Sequence, residues 1–275
     1  MAWGRVRLPA VWATLLFLVL SAATDVIPWW IAFVFFALAF AFYLRLGMPS
    51  GRAPVKVRAP VAGRWRAMNS PADRLPSHGV HAYGQTYAID LVSDLQDGER
   101  PDAAWWPPTH SPDEFPAYGR DVLAPADGTV VRAHDSSWDH RSRSSWPAYG
   151  FLFVEGSLRE LRGLSRVLGN HVVVEMDSGV WALLAHLQHD SVTVREGDKV
   201  NAGEVIARCG NSGNSSEPHV HFQLMDHENA LFADGVPFEF EYERDGETVL
   251  GVPGNDEAFV VRRAAAESRT GAIAA

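Results

Sequence analysis

The chain has 275 residues and a formal net charge of −9, a length that holds one sizeable domain with attachments or two small ones. Residues 1–58 carry Arg5, Arg7, Arg45, Arg52, Lys56 and Arg58 against Asp25 alone, a balance of +5, which leaves −14 on the remainder; so acidic a body argues against a nucleic-acid partner, which would need a basic face. Cys209 is the only cysteine, so no intrachain disulfide and no thiolate-rich zinc site can form, and a metal must rest on His and Asp/Glu.

Leu8–Leu44 is almost wholly apolar, interrupted at Thr24-Asp25 and Pro28. A membrane span needs about 20 apolar residues. The run Val26–Leu44 meets that length and carries Trp29, Trp30 and Tyr43 at its ends, where interfacial aromatics belong. The run Leu8–Ala23 is marginal. Its alternative is a cleaved signal peptide, with Arg5 and Arg7 as the basic start and Ser21-Ala22-Ala23 as a small-residue cleavage site. The favoured expectation is a transmembrane helical hairpin within residues 1–46, anchoring the protein in the membrane. Basic residues flank both outer ends and the turn has none, which by the positive-inside rule places both ends and the body in the cytoplasm.

Residues 47–60 are rich in Pro and Gly and are expected as a linker; 61–245 are expected as the main domain and 246–275 as a C-terminal tail. Within the domain, short apolar runs bounded by Gly, Asn, Asp or Pro read as strands: 86–92, 128–133, 171–176, 180–187, 204–209 and 219–224. In the first of these, Tyr87, Ile89 and Leu91 alternate with Ala88, Asp90 and Val92, so Asp90 faces away from the large apolar side chains. Two stretches, 94–118 with Trp105 and Trp106 and 134–168 with Trp138, Trp146 and several arginines, are expected as long loop insertions that form rims, mobile covers or surface decoration. The one helical periodicity outside the membrane run is Ser157–Leu168, with Leu158, Leu161, Leu164 and Leu168 on one side.

Of the 11 histidines, His110, His134, His140, His189 and His227 sit in polar surroundings, and His171 reads as a core histidine satisfied by backbone. His219-Val220-His221 differs. Residues i and i+2 of a strand share a face, so two imidazoles project together at the start of an apolar strand. His186 closes the apolar run ALLAHL and Asp90 lies inside YAIDLV; buried polar groups of this kind require a partner. Imidazoles and a carboxylate on one face make a zinc site with an open position.

The segments HAYGQTYAIDLV, DVLAPADGTVVRA, GNHVVVEMDSGVWALLAHL and VREGDKVNAGEVIARCGNSGNSSEPHVHFQL resemble, in that order across about residues 78–225, the lysostaphin-type, LytM-like zinc metalloendopeptidases of peptidase family M23. The resemblance implies a mainly β fold with antiparallel sheets in a barrel-sandwich-like hydrolase domain, one Zn2+ ion, and peptidoglycan cross-link peptides as substrate. It implies His81, Asp90 and His221 as zinc ligands, with His78 a rival for His81, and His186 and His219 as the two catalytic histidines. Ala185 departs from the Tyr common before the catalytic histidine. The implied substrate lies outside the membrane, in conflict with the flanking charges. The alternatives are a catalytically silent cell-wall-binding or amidase-regulating module of the same fold, and a non-haem iron oxygenase, whose facial triad also uses two His and one carboxylate.

Overall fold

The computed structural model describes residues 4–24, 26–44, 51–94, 101 and 105–263. Asp25 of the expected hairpin turn, the start of the expected linker, part of the first insertion and residues 264–275 of the expected tail lie outside the described residues.

Two apolar helices open the chain, α1 (Gly4–Thr24) and α2 (Trp29–Leu44), and pack side by side with Phe17 edge-on to Phe35 at 6.3 Å. The sequence favours the second run as the longer span, but the structure reverses the order. Among the described residues, Arg5–Thr24 is the stretch long and apolar enough to cross a membrane, while α2 has 16 residues. At 1.5 Å per residue α2 reaches about 24 Å, short of a hydrocarbon layer of about 30 Å. Both open ends of the hairpin rest on the domain. The Leu44 carbonyl accepts from the His81 amide at 2.7 Å. The buried Arg7 guanidinium reaches the His81 carbonyl at 3.1 Å and Asp234 at 3.4 Å.

The rest is mainly β. In chain order the strands are β1 (Val55–Lys56), β2 (Gly63–Met68), β3 (Ile89–Ser93), β4 (Asp121–Leu123), β5 (Gly128–His134), β6 (Asn170–Met176) and β7 (Trp181–Leu187), then β8 (Lys199–Val200), β9 (Val205–Arg208), β10 (Val220–Met225), β11 (Gly235–Val236), β12 (Phe238–Arg244), β13 (Glu247–Gly251) and β14 (Ala258–Val261). Twelve form one sheet along the path β1-β12-β14-β2-β3-β10-β7-β6-β5-β8, with β11 on β10 and β13 on β12, and β4 pairs with β9 separately. Every pairing is antiparallel except β1 with β12. The sheet is open rather than a closed barrel.

Two stretches expected outside the domain are built into it. Val55–Lys56 of the expected linker pairs with β12, and Val57 and Ala59 join the core. After residue 245, β13 and β14 extend the sheet, and Phe259 is buried beside Phe240 and Tyr242. Apolar alternation drives both; Phe238, Phe240 and Tyr242 point inward along β12.

The 134–168 insertion also departs from the expected loop. It carries α3 (Trp146–Leu161) and α4 (Leu164–Leu168). Ser145 caps α3 by accepting from the Ala148 amide, and Pro147 sits in the first turn, where its missing N–H costs nothing. Gly163, at φ 106°, breaks the apolar periodicity between the two helices.

The central strands present two faces. Ile89, Leu91, Ala182, Leu184, Leu187, Val220, Phe222 and Leu224 face the main core. The opposite face carries Leu183, Ala185 and Met225 in a smaller apolar cluster, and the polar residues described next lie beside it.

Candidate metal centre

Strand register assembles the site. On β10, His221 stands directly opposite Asp90 of β3 on one side and Ala185 of β7 on the other. Directly opposed residues share a face about 5 Å apart, so a carboxylate and an imidazole are brought together by pairing alone. His221 Nδ1 lies 2.9 Å from Asp90 Oδ1. His219, just before β10, places Nε2 3.5 Å from the same oxygen.

His186 needs a further device. Strand alternation would turn it away from Ala185 and therefore from His221. Its backbone instead takes φ 61°, a left-handed conformation rare for a residue with a side chain. The β6–β7 register shifts at this point: Asn170 pairs with Leu187 but Val172 with Leu184, so β7 carries one extra residue. That bulge, a feature that re-aims side chains near active sites, lets Leu184 and Leu187 both face the core. It brings the His186 ring to 4.8 Å from His219 and 5.8 Å from His221. Holding such a residue costs roughly 1–3 kcal/mol, which the surrounding structure must offset.

Of the five residues picked out in the sequence, Asp90, His186, His219 and His221 converge, and His81 does not. Its rival His78 takes the place, with Nε2 3.0 Å from Asp90 Oδ2 and its ring 4.9 Å from that of His221. The cause is the 3-10 segment Ala82–Tyr87, in which Tyr83 (φ 62°) and Gly84 (φ 70°) are both left-handed. The chain turns there, and the His81 ring meets Thr86 Oγ1 at 2.9 Å instead. His78, Asp90 and His221 offer donor atoms within 4.8 Å of one another, as do His186, His219 and His221. His221 is common to both groups.

The supporting residues were not found by sequence reasoning. Asn69, itself left-handed at φ 47°, donates to Asp90 Oδ2 at 2.8 Å. Gln223 places Oε1 2.9 Å from His221 Nε2 and donates its amide to the Tyr83 carbonyl at 2.7 Å. The His186 Nδ1–H donates to the Ser212 carbonyl at 2.9 Å, and the His219 Nδ1–H to the Glu217 carbonyl at 2.8 Å. Since a carbonyl only accepts, both rings carry a proton on Nδ1, which leaves Nε2 as the nitrogen available to the site. The one available signal was the Gly/Asn/Ser-rich stretch 210–216, whose hydroxyls and carbonyls suit such anchoring.

The electrostatics follow from burial. Burial alone would raise the Asp90 carboxyl, but the charges of His78 and His219 and the hydrogen bonds of His221 and His78 hold it well below the usual carboxylate range. Burial, reinforced by His219 and His221, drives His186 well below an ordinary imidazole and keeps it neutral. Burial pulls His221 down, and Asp90 more than reverses it. His171 is the core histidine its sequence context suggested: Nδ1 meets the Gly169 carbonyl at 2.8 Å, and burial pushes it down to about 4.

Residues 153–233 match the family model described as Peptidase family M23. The matched stretch includes His186, His219 and His221 and excludes His78 and Asp90. The glycyl-glycine endopeptidase ALE-1 of Staphylococcus capitis is 30% identical over 131 residues, covering 46% of this chain and 27% of that protein. Lysostaphin of Staphylococcus simulans is 36% identical over 92 residues, covering 31% of this chain and 18% of its own length. The alignments thus span about a quarter or less of these relatives. Among solved structures, the catalytic domain of lysostaphin from Staphylococcus simulans aligns at 20% identity and TM-score 0.32, covering 57% of this chain and 77% of that one. A zinc containing peptidase from Vibrio cholerae aligns at 19% identity and TM-score 0.30, covering 69% and 40%. The resemblance to lysostaphin-type M23 peptidases read from the sequence is borne out.

Proposed function

We propose that this chain is a zinc-dependent endopeptidase that hydrolyses peptide bonds in peptidoglycan cross-links. The observation that carries the reading is the pairing of a three-donor group, His78, Asp90 and His221, with two further histidines whose Nδ1 atoms are pinned on backbone carbonyls. Two imidazole nitrogens and one carboxylate, mutually close and with Asp90 and His221 buried, are the donor set zinc takes when it keeps a position open for chemistry. His78 rather than His81 is the histidine placed to complete it. When bound, zinc supplies Lewis acidity, polarising the scissile carbonyl and acidifying the attacking water.

The remaining work falls to the chain's own side chains. His186, kept neutral by burial, presents an unprotonated Nε2 beside the donor group, the form needed to take a proton from the attacking water, and the His219 ring lies next to it at 4.8 Å. After that transfer the protonated ring is a donor. It steadies the charge developing on the carbonyl oxygen and can return the proton to the leaving amine. Asn69 and Gln223 fix the orientations of Asp90 and His221, the service that supporting partners perform around a metal. The substrate class is drawn from the relatives named as glycyl-glycine endopeptidase and lysostaphin.

This substrate puts the domain on the outer side of the membrane. The charge conflict is lessened by Arg7, which is engaged with Asp234 and the His81 carbonyl instead of standing as a free basic flank.

The test is digestion of purified sacculi of several cross-bridge types by the full chain in detergent, with muropeptides read by mass spectrometry. New amino termini should appear, disappear with a chelator and return with zinc. His186→Ala and His219→Ala should each abolish release while metal content stays intact. Zinc-loaded protein that frees no new amino termini from any of the sacculi sinks the proposal.

A further inference from the structure

Outside the metal centre, the least explained feature of the molecule is the outer face of α3. Phe151, Val154, Leu158 and Leu161 recur at spacings of three and four, so they form one stripe. They are 55%, 57%, 49% and 84% exposed. The opposite side is committed to the domain: Ala148 and Gly156 are buried, Asn214 fills the space beside Gly156, and Glu155 pairs with Arg143 and Arg159. A contiguous apolar stripe of this kind marks an interaction surface.

Three observations say what covers it. Trp146 and Tyr149 are exposed at the start of the helix, the amphipathic aromatics that sit at headgroup level. Residues 141–168 carry five arginines against two glutamates in a chain of net charge −9, so a locally basic stretch of the domain coincides with its apolar stripe. The helix also adjoins the place where the apolar hairpin ends. Glu160 of α3 accepts from the Tyr83 hydroxyl at 3.3 Å, and the Tyr83 ring lies edge-on to Tyr43, one residue before the end of α2, at 6.0 Å.

We propose that α3 lies flat in the interface of the same bilayer the hairpin enters, with Phe151, Val154, Leu158 and Leu161 against the acyl chains and the exposed Arg162 and Arg166 among anionic headgroups. A helix with an apolar stripe, basic flanks and interfacial aromatics binds membranes in this way. The hairpin alone would tether the domain at one point; α3 gives it a second contact and a fixed height. That height reaches the metal centre, since Arg159 donates to the Gly213 carbonyl and Asn214 N–H to the Val167 carbonyl, within the loop that anchors His186 and His219.

The experiment places a nitroxide on Leu158→Cys, and separately on Leu161→Cys, in the full chain in nanodiscs containing phosphatidylglycerol. The native Cys209 is buried and does not compete for label. Phe35→Cys on α2 serves as the bilayer reference and the exposed Glu196→Cys as the solvent reference. The ratio of oxygen to nickel-chelate accessibility at 158 and 161 is expected to exceed that at 196 several-fold, in the direction of position 35. A ratio at 158 matching 196 while position 35 remains lipid-like overturns the proposal. So does exclusion of both reagents from 158, which marks a protein partner, or spin–spin broadening there, which marks a second copy. A solvent-like position 35 means the hairpin is not inserted, and the proposal falls with it.

Discussion

His78→Ala should empty the metal centre and His81→Ala should not. His78 Nε2 is 3.0 Å from Asp90 Oδ2 and within 4.8 Å of the other donor atoms of its group, whereas His81 spends Nδ1 on Thr86 at 2.9 Å. Removing a partner that merely supports a ligand costs about 10–100-fold in metal affinity. Deleting one of three direct donors must cost more, so the expected loss for His78→Ala exceeds about 100-fold, roughly 2.8 kcal/mol or more at 1.4 kcal/mol per decade. His81→Ala forfeits one neutral hydrogen bond, about 1 kcal/mol of folding stability, and its zinc affinity should stay within about tenfold of the parent, below the supporting-partner range. Affinity is read by competition with a chromogenic chelator at fixed pH, stoichiometry by plasma mass spectrometry, and folding of each variant by circular dichroism. A folded His81→Ala without zinc, beside a His78→Ala that keeps it, would refute the assignment and restore His81 as the first ligand.

Asn69→Ala removes the amide that donates to Asp90 Oδ2 at 2.8 Å; zinc affinity should fall by about 10–100-fold, and an unchanged affinity would show that Asp90 holds its orientation unaided. Gly169→Ala puts a Cβ only 2.5 Å from the Ser212 carbonyl carbon, at φ +64°. The cost should be about 1–3 kcal/mol of stability, with a lower kcat because Ser212 anchors His186; thermal unfolding and kinetics measure both, and parent-like values in each would contradict the packing. His171 is lowered to about 4 by burial, against a reference of 6.5. The unfolded chain therefore binds the proton first as pH falls. Stability from the neutral ring is complete above about 6.5 and is lost as pH drops toward 4, a change of about 3 kcal/mol. His171→Phe should flatten that limb of a melting-temperature profile, and an unaltered slope would place the acid sensitivity elsewhere.

The parts of the site that were legible in the sequence are those fixed by strand periodicity. Period 2 puts Asp90 on the face opposite Ile89 and Leu91, and β10 opposes His221 to Asp90 as that pattern requires. The same rule misplaces His186, because a one-residue bulge and a left-handed backbone override alternation, and neither leaves a mark in residue type: a histidine with positive φ looks like any histidine. That His78 rather than His81 lies beside Asp90 has a related cause, since the spacing to Asp90 counts residues along a chain that Tyr83 and Gly84 turn sharply. Strands β12 to β14 went unseen, the last two inside the expected tail, because their alternation runs through a Glu- and Arg-rich stretch that reads as polar until its inward positions, Phe240, Tyr242 and Phe259, meet. Helix α3 was shifted because the leucines at 158, 161, 164 and 168 continue their rhythm across Gly163, where the backbone breaks.

The same insertion explains how two histidines can be held on a glycine- and serine-rich loop without being loose. Residues 210–216 have little apolar weight of their own, so their order must come from hydrogen bonds to neighbours. The insertion supplies them. Asp139 accepts from the Asn211 amide at 2.7 Å and from the Tyr118 hydroxyl at 3.0 Å, and the Asn211 side chain donates to the His140 carbonyl at 2.7 Å. His140 Nε2 lies 2.9 Å from the Gly213 carbonyl, with Arg159 on the same oxygen. Ser212 Oγ donates to the Leu187 carbonyl at 2.7 Å while accepting from the Asn170 amide at 2.9 Å, tying the loop to the bulge that aims His186. Each contact is worth only about 1 kcal/mol net, but together they hold the Ser212 carbonyl and the flanking turn to Glu217, the two acceptors that set the tautomers of His186 and His219. A stretch that reads as a loop insertion is thus part of the support of the two histidines proposed as catalytic bases, and shortening it should cost turnover before it costs metal.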